Sequence, residues 1–186
     1  MVTPYTEGTT MAKVLYHITM SLDGFVAAPG DDMTWLSGLH AGPNPVVERV
    51  LAGIGAIVMG HNTYAPATTA EGEVYGGRWR GPIFVVSRSA EPSPGFTVVP
   101  ELEKAVSSAA EAAGDGYVAV LGAATARRCW EAGLLDEVLV HVAPVLLGDG
   151  VRLFDRAGGE AVRLEAVELS CSGPILNAWY RVPCGQ

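Results

Sequence analysis

Cysteine is scarce in this 186-residue chain: Cys129, Cys171 and Cys184 are all it has, with no CxxC pair among them. So odd and scattered a set neither builds a disulfide framework nor offers the spacing of a structural zinc site. Reduced thiols in a reducing compartment, and no bound metal, are therefore expected. Charge is also sparse, at 17% of residues, and basic charge is in deficit: 12 Lys and Arg against 20 Asp and Glu leave a formal net charge of −8. Such a chain lacks the basic face that supplies most of the affinity in general nucleic-acid binding. No apolar run reaches the roughly 18 residues of a membrane span, and the N-terminus lacks the charged and then apolar layout of an export signal. These absences predict a cytoplasmic protein that engages neither nucleic acid nor membrane.

What is present is apolar: 49% of the residues are hydrophobic, enough at this length to fill one core without disulfides or metals. Residues 1–10 are polar and turn-prone and read as a flexible tail; residues 11–186 read as a single domain. Along that domain the pattern alternates. A strand is expected over Val14 to Met20, a helix over Pro45 to Gly53, a strand over Ala56 to Met59 and then a short helix. The strand PIFVVS, a short FTVV segment, a helix from Glu101 to Ala113, the strand YVAVL, a helix from Ala123 to Ala132 and the strand EVLVHVA follow. Apolar runs without alternation imply a parallel sheet covered on both faces. After Pro144 and the glycines at 148 and 150, VRLEAVELS and ILNAWYRV read as an antiparallel hairpin turning at Cys171 to Pro174. An α/β fold with its ligand beyond the carboxyl ends of the parallel strands is the expectation.

Two segments there share a layout, AIVMGHNTYA and YVAVLGAATARRCW: an apolar strand, a glycine, then a helix start carrying a threonine. A glycine lets a phosphate approach the backbone, and a helix N-terminus offers it unpaired N–H groups. Two such ends can hold a diphosphate from both sides. Ser87-Arg88-Ser89 follows the strand PIFVV directly, and hydroxyls with a guanidinium are the groups that hold a ribose 2′-phosphate, which favours NADPH over NADH. A solvated loop opening is the alternative reading of that triplet.

These motifs, with SLDGFVA near the N-terminus, VMGHNTYA, VVSRS and the long run LGAATARRCWEAGLLDEVLVHVAPVLLGDGVRLF, resemble the dihydrofolate-reductase-like superfamily, in particular its branch containing the reductase domain of riboflavin biosynthesis. The likeness extends from Lys13 to Arg181. It implies a mixed, mainly parallel sheet flanked by helices, an NADPH-dependent reductase and a homodimer, for which the run LLDEVLVHVAPVLLG is the expected contact. It also implies cofactor contacts. Gly60, His61, Asn62 and Thr63 would follow the diphosphate and adenosine ribose, and Ser87 and Arg88 the 2′-phosphate. Gly122, Ala123, Ala124, Thr125 and Ala126 would wrap the other side of the diphosphate, and Thr19, Val26 and Ala27 would border the nicotinamide. The chain departs from the family where His61 replaces an arginine after the MG glycine, and where Ala123 replaces a second glycine. That alanine leaves open whether the Gly122–Ala123 peptide is cis, as in dihydrofolate reductases.

On the substrate side the departures are larger. The acid that dihydrofolate reductases place a few residues beyond a tryptophan resembling Trp35 has no counterpart near His40, Pro43 or Asn44. The glutamate that the riboflavin enzyme carries before its paired glycines is Leu121 here. His40, with an unperturbed pKa suited to proton transfer, is the catalytic candidate; Trp35 and Glu48 are the substrate-side candidates, and Glu48, Asp32 or water are further proton sources. His17 and His141 read as core or pocket-wall residues, and Trp79 as a pocket lid or a partner contact. Three functions remain in play: a hydride transfer to a small heterocyclic or carbonyl-bearing substrate, the reduction of 5-amino-6-(5-phosphoribosylamino)uracil in riboflavin biosynthesis, and a non-catalytic NADPH-binding module.

Overall fold

The computed structural model describes residues 12–39, 42–67, 73–155 and 157–183; the expected tail, His40 and Cys184 lie outside them. The chain runs β1 (Lys13–Ser21), β2 (Phe25–Ala27), α1 (Pro45–Gly53), β3 (Ile54–Gly60), α2 (His61–Ala67), β4 (Ile83–Val86), β5 (Phe96–Val99), α3 (Leu102–Ala113), β6 (Tyr117–Leu121), α4 (Ala123–Glu131), β7 (Glu137–Ala143), β8 (Val151–Arg152), β9 (Glu165–Ser172) and β10 (Ile175–Arg181). Eight strands form one sheet in the order β5-β4-β3-β6-β1-β7-β10-β9. The first six are parallel neighbours, and β10 and β9 close the sheet as an antiparallel hairpin. This is the α/β architecture expected from the sequence.

The continuous apolar runs follow from burial on both faces. On one face Val14, Tyr16, Ala56, Val58, Val118 and Val138 pack against Leu102, Val106 and Ala109 of α3 and Ala126 and Cys129 of α4. On the other, Leu15, Ile57, Met59, Leu139 and Trp179 pack against Val46 and Val50 of α1 and Tyr64 of α2. Each helix starts or binds where its sequence dictates. Asn44 caps α1 by accepting the Val46 N–H, with Pro45 in the first turn where its missing N–H does no harm. On α3, Leu102, Ala105, Val106 and Ala109 recur at helical spacing and are the buried positions.

The structure alters several expectations. β9 starts at Glu165, three residues into VRLEAVELS, because β10 pairs no further than Arg181 opposite Glu165. A two-stranded sheet of β2 and β8 joins Phe25–Ala27 to Val151–Arg152; strands this short carry no periodicity. β7, the heart of the expected dimer contact, is an interior strand between β1 and β10 and is buried throughout except at half-buried Val142. Trp79 is half-buried: it packs on the α1-side core and donates its indole N–H to the Ile54 carbonyl at 3.0 Å.

Ile57, with no exposed surface in the centre of the sheet, should cost about 2–5 kcal/mol when cut to alanine. Val167 on edge strand β9, 44% exposed, should cost less than about 0.5 kcal/mol. Urea unfolding midpoints of Ile57→Ala and Val167→Ala measure the difference, and equal losses would contradict this placement of the core.

Candidate functional site

Parallel pairing delivers the carboxyl ends of β1, β3, β4, β6 and β7 to one edge. β3 and β6 are neighbours in register, Met59 opposite Leu121, so the two glycine turns stand side by side. They interlock. A Cβ at Gly60 would sit 2.6 Å from the Thr125 hydroxyl oxygen, and one at Gly122 would sit 2.6 Å from that of Thr63. Each turn therefore needs glycine because the threonine of the other turn fills the space. Gly122 also has φ 93°, ψ 129°, a backbone state nearly closed to other residues. Its peptide to Ala123 is not cis; no cis bond occurs among the described residues.

From this lock α4 starts into a cavity of about 360 Å³, lined by Ala123, Ala124, Arg127, Phe25 and the 148–153 loop. That loop is pinned twice. Gly150 crosses β2 so closely that a Cβ there would lie 2.0 Å from the Ala27 carbonyl oxygen. The Asp23 carboxylate accepts the N–H groups of Leu147 (3.1 Å) and Gly148 (2.7 Å) and the Ser21 hydroxyl (2.6 Å). The Ser21 bond foremost, with the loop N–H bonds, holds the Asp23 carboxyl down at about 2. The Arg152 guanidinium lies over the Phe25 ring, 4.7 Å from its centroid. Sequence reasoning missed Phe25, Arg127, Arg152 and this loop. The GDG turn followed by an arginine was the available signal.

On the far side of β3, Ser87 ends β4 beside the β3–α2 turn. Its hydroxyl oxygen accepts the N–H groups of Ser89 (3.2 Å) and Ala90 (3.0 Å) and lies 3.5 Å from Nδ1 of His61. Arg88, His61 and Asn62 are exposed, and among the described residues Arg88 has no ion pair. A free guanidinium thus stands beside a hydroxyl on one flank of the lock, with the α4 N-terminus on the other. Thr125 is buried against Gly60, so its side chain is a strut, and contact with a ligand there falls to the backbone. Thr19 is half-buried on β1, opposite His141; Val26 and Ala27 are buried in β2.

The substrate-side candidates fare differently. The Glu48 carboxylate is 56% exposed and accepts from the Arg78 guanidinium at 2.5 and 2.6 Å, a surface ion pair tying α1 to the 74–79 segment. Trp35 lies in the 3₁₀ turn Thr34–Leu36, its indole N–H buried without a partner among the described residues. Asp32 uses its carboxylate to hold the backbone N–H and hydroxyl of Thr34. The sequence also gave no notice that His17 and His141, on adjacent strands, meet at 2.8 Å in the core.

A family model described as the RibD C-terminal domain matches residues 12–176. The chain belongs to this family. Solved structures of similar fold include a putative riboflavin biosynthesis protein from Shewanella sp. PV-4, 23% identical with TM-score 0.75, covering 93% of this chain and 99% of that one. A pyrimidine reductase-like protein from Corynebacterium diphtheriae is 16% identical with TM-score 0.65, covering 94% and 93%. The deaminase/5-amino-6-(5-phosphoribosylamino)uracil reductase from Thermotoga maritima is 16% identical with TM-score 0.66; 93% of this chain aligns with 57% of that longer one. No curated protein matches the chain. For a RibD C-terminal domain, the two glycine turns at the carboxyl edge are the feature shared between sequence motif and geometry.

Two outcomes test the edge. Gly60→Ala meets only the Thr125 hydroxyl, so Gly60→Ala should destabilise, and adding Thr125→Ala should restore stability to within about 0.5 kcal/mol of Thr125→Ala alone. Gly122→Ala should stay about 1–3 kcal/mol destabilised even with Thr63→Ala, because its backbone state persists; additive behaviour at Gly60 and Thr125 would dissolve the lock. Asp23, with its folded pKa below the usual value, contributes stability that is complete above pH 4 and lost as pH falls toward 2. Urea midpoints between pH 5 and 2 should therefore fall more steeply for wild type than for Asp23→Asn, and parallel slopes would remove Asp23 as the loop's anchor.

Proposed function

We propose that this RibD C-terminal domain is an NADPH-dependent reductase that transfers a hydride to a small heterocyclic or carbonyl-bearing substrate. The observation that carries the reading is the interlocked pair of glycine turns, flanked by the free Arg88 guanidinium on one side and the α4 N-terminus on the other. These groups suit a dinucleotide: bare backbone for the diphosphate, a positive helix end facing a cavity, and a cation with a hydroxyl for the 2′-phosphate. Gly60 to Thr63 and Gly122 to Ala126 would hold the diphosphate and adenosine ribose, Ser87 and Arg88 the 2′-phosphate, and Thr19, Val26 and Ala27 the nicotinamide. Bound NADPH supplies the hydride. The chain's own work is to fix the two reactants in contact, exclude water and deliver a proton to the atom that becomes basic.

Membership of the family favours a second substrate reading, 5-amino-6-(5-phosphoribosylamino)uracil, the compound named for the Thermotoga enzyme. Leu121, in place of the glutamate that the resemblance leads one to expect, weighs against it. The proposal extends to a cytoplasmic homodimer. Free thiols at Cys129 and Cys171 fit a reducing compartment. The exposed apolar side chains Val167, Leu169 and Leu176 on the terminal hairpin offer a surface for a second copy.

Calorimetric titration with NADPH and NADH should show NADPH bound more tightly, and Arg88→Ala should weaken NADPH by about 1.5–3 kcal/mol while leaving NADH unchanged. Absence of binding by either nucleotide would overturn the reading. NADPH oxidation with the phosphoribosylaminouracil, set against a panel of carbonyl and heterocyclic compounds, separates the two substrates. Tight binding with no turnover on any of them would instead make the chain a cofactor-binding module.

A further inference from the structure

Two arginines line the cavity of about 360 Å³ at the start of α4, Arg127 from the helix itself and Arg152 from β8. In a chain with a formal net charge of −8 free cations are scarce, and most of the arginines are already engaged. Arg49, Arg78, Arg80 and Arg181 each face a glutamate. Arg127 is partly engaged too: Nη1 donates to the Asp155 carbonyl at 3.3 Å, and Nε lies 3.9 Å from the Glu131 carboxylate one turn on. Arg152 is exposed and has no ion pair among the described residues. Its guanidinium rests over the Phe25 ring, 4.7 Å from the centroid, and Phe25 lines the same cavity. Attraction to a ring face at an exposed site is weaker than a hydrogen bond between two charged groups. An anion entering the cavity therefore draws the guanidinium off the ring.

The backbone that carries Arg152 is fixed. Phe25 and Arg152 are cross-strand partners in the β2–β8 sheet, and the Leu153 N–H donates to the Gly24 carbonyl at 3.0 Å. Gly150 lies too close to the Ala27 carbonyl to carry a side chain. The Asp23 carboxylate holds the start of the same loop at Leu147 and Gly148, and Arg127 holds its end at Asp155. Only the Arg152 side chain is left to move. Acids line the cavity as well. Asp149, whose Oδ1 accepts the Gly150 N–H at 2.8 Å, and Asp155 are both on its wall, and among the described residues neither pairs with Arg152. An ionised carboxylate only accepts hydrogen bonds, and a guanidinium only donates them. Side by side they suit a ligand that carries an anion and hydroxyl donors together, which is the make-up of a ribose phosphate.

We propose that Arg152 is a cofactor-binding residue, whose guanidinium passes from the Phe25 ring to the phosphate on the nicotinamide half of NADPH; this rests on the reductase reading above. Strand pairing selects that half. Val26 and Ala27, assigned to the nicotinamide, belong to β2, and Ala27 is the partner of Val151, the residue before Arg152. Two arginines then divide the dinucleotide between them. Arg88 meets the 2′-phosphate, which NADH lacks; Arg152 meets a phosphate that NADPH and NADH share. Loss of Arg152 lowers affinity for both and leaves the preference between them as it was, whereas loss of Arg88 erodes the preference.

Calorimetric titration of the full chain with NADPH and with NADH tests this division. Arg152→Gln should weaken both nucleotides by the same factor, about tenfold, and flatten the salt dependence of both, while Arg152→Lys recovers part of the loss. Arg163→Gln, which removes an exposed arginine that does not line the cavity, should change neither affinity and so separates a directed contact from a change in net charge. In ¹⁵N spectra of wild type the Arg152 Nε–H resonance should shift on addition of either nucleotide, as the guanidinium leaves the ring. A loss confined to NADPH, a loss matched by Arg163→Gln, or affinities indifferent to Arg152→Gln would each overturn the proposal. In the last case, a KM raised for the phosphoribosylaminouracil alone would give the arginine to the substrate's phosphate instead. Wild type binding neither nucleotide would remove the reductase reading itself, a result distinct from binding that ignores Arg152.

Discussion

The contact between the β3–α2 and β6–α4 turns is the constraint from which the functional edge follows. Gly60 and Gly122 each lack a side chain because the other turn's threonine occupies that volume. The lock exists only because β6 enters the sheet between β3 and β1. With the turns fixed together, α2 and α4 leave the sheet on opposite faces from adjacent points, α2 toward the α1 side and α4 toward the α3 side. Backbone is thereby bared between them, Ser87 and Arg88 of the next strand lie on one flank, and the cavity at Ala123 and Ala124 lies on the other.

The opposite end of the sheet is held by charge. The Glu137 carboxylate, 2% exposed, accepts from Lys13 and from the Trp179 indole, both at 2.8 Å. Its burial is tolerable because both bonds are made; without them a carboxylate at that depth would be strongly destabilising. The bond to Glu137 is the largest reason that the Lys13 ammonium titrates above its usual range. Polar groups inside this core therefore sit at two levels, an ion pair at the amino ends of β1 and β7 and the histidine pair nearer their carboxyl ends. Between them the α1 face is closed by Leu15, Leu139 and Trp179.

Much of the architecture was readable from composition and local pattern. PIFVVS, YVAVL and EVLVHVA announce strands buried on both faces, and Asn44-Pro45 announces the start of α1. Gly60 and Gly122 were recognisable as turns, and Ser87-Arg88 as a polar strand end. What escaped depends on strand order or on long-range partners. The lock requires knowing that β3 neighbours β6; the histidine pair requires knowing that β1 neighbours β7. Glu48 looked available to a substrate until Arg78, thirty residues away in the chain, proved to hold it. β2 and β8 are too short to register in any periodicity, so the GDG turn was the one local sign of the loop that closes the cavity over Phe25.

The position of β1 has a consequence for how the chain assembles. It is the hub of the sheet, yet both of its neighbours come from the second half of the sequence, and its amino end is tied to Glu137 across 124 residues. Synthesised ahead of every other strand of the sheet, Lys13–Ser21 has no sheet neighbour to pair with until β6 and β7 follow. Hairpin β9–β10, by contrast, is wholly local. High contact order at the centre of the fold makes slow acquisition of the native state intrinsic to this topology. It also leaves an unpaired apolar strand exposed to self-association for much of synthesis, the interval in which a chaperone would matter most.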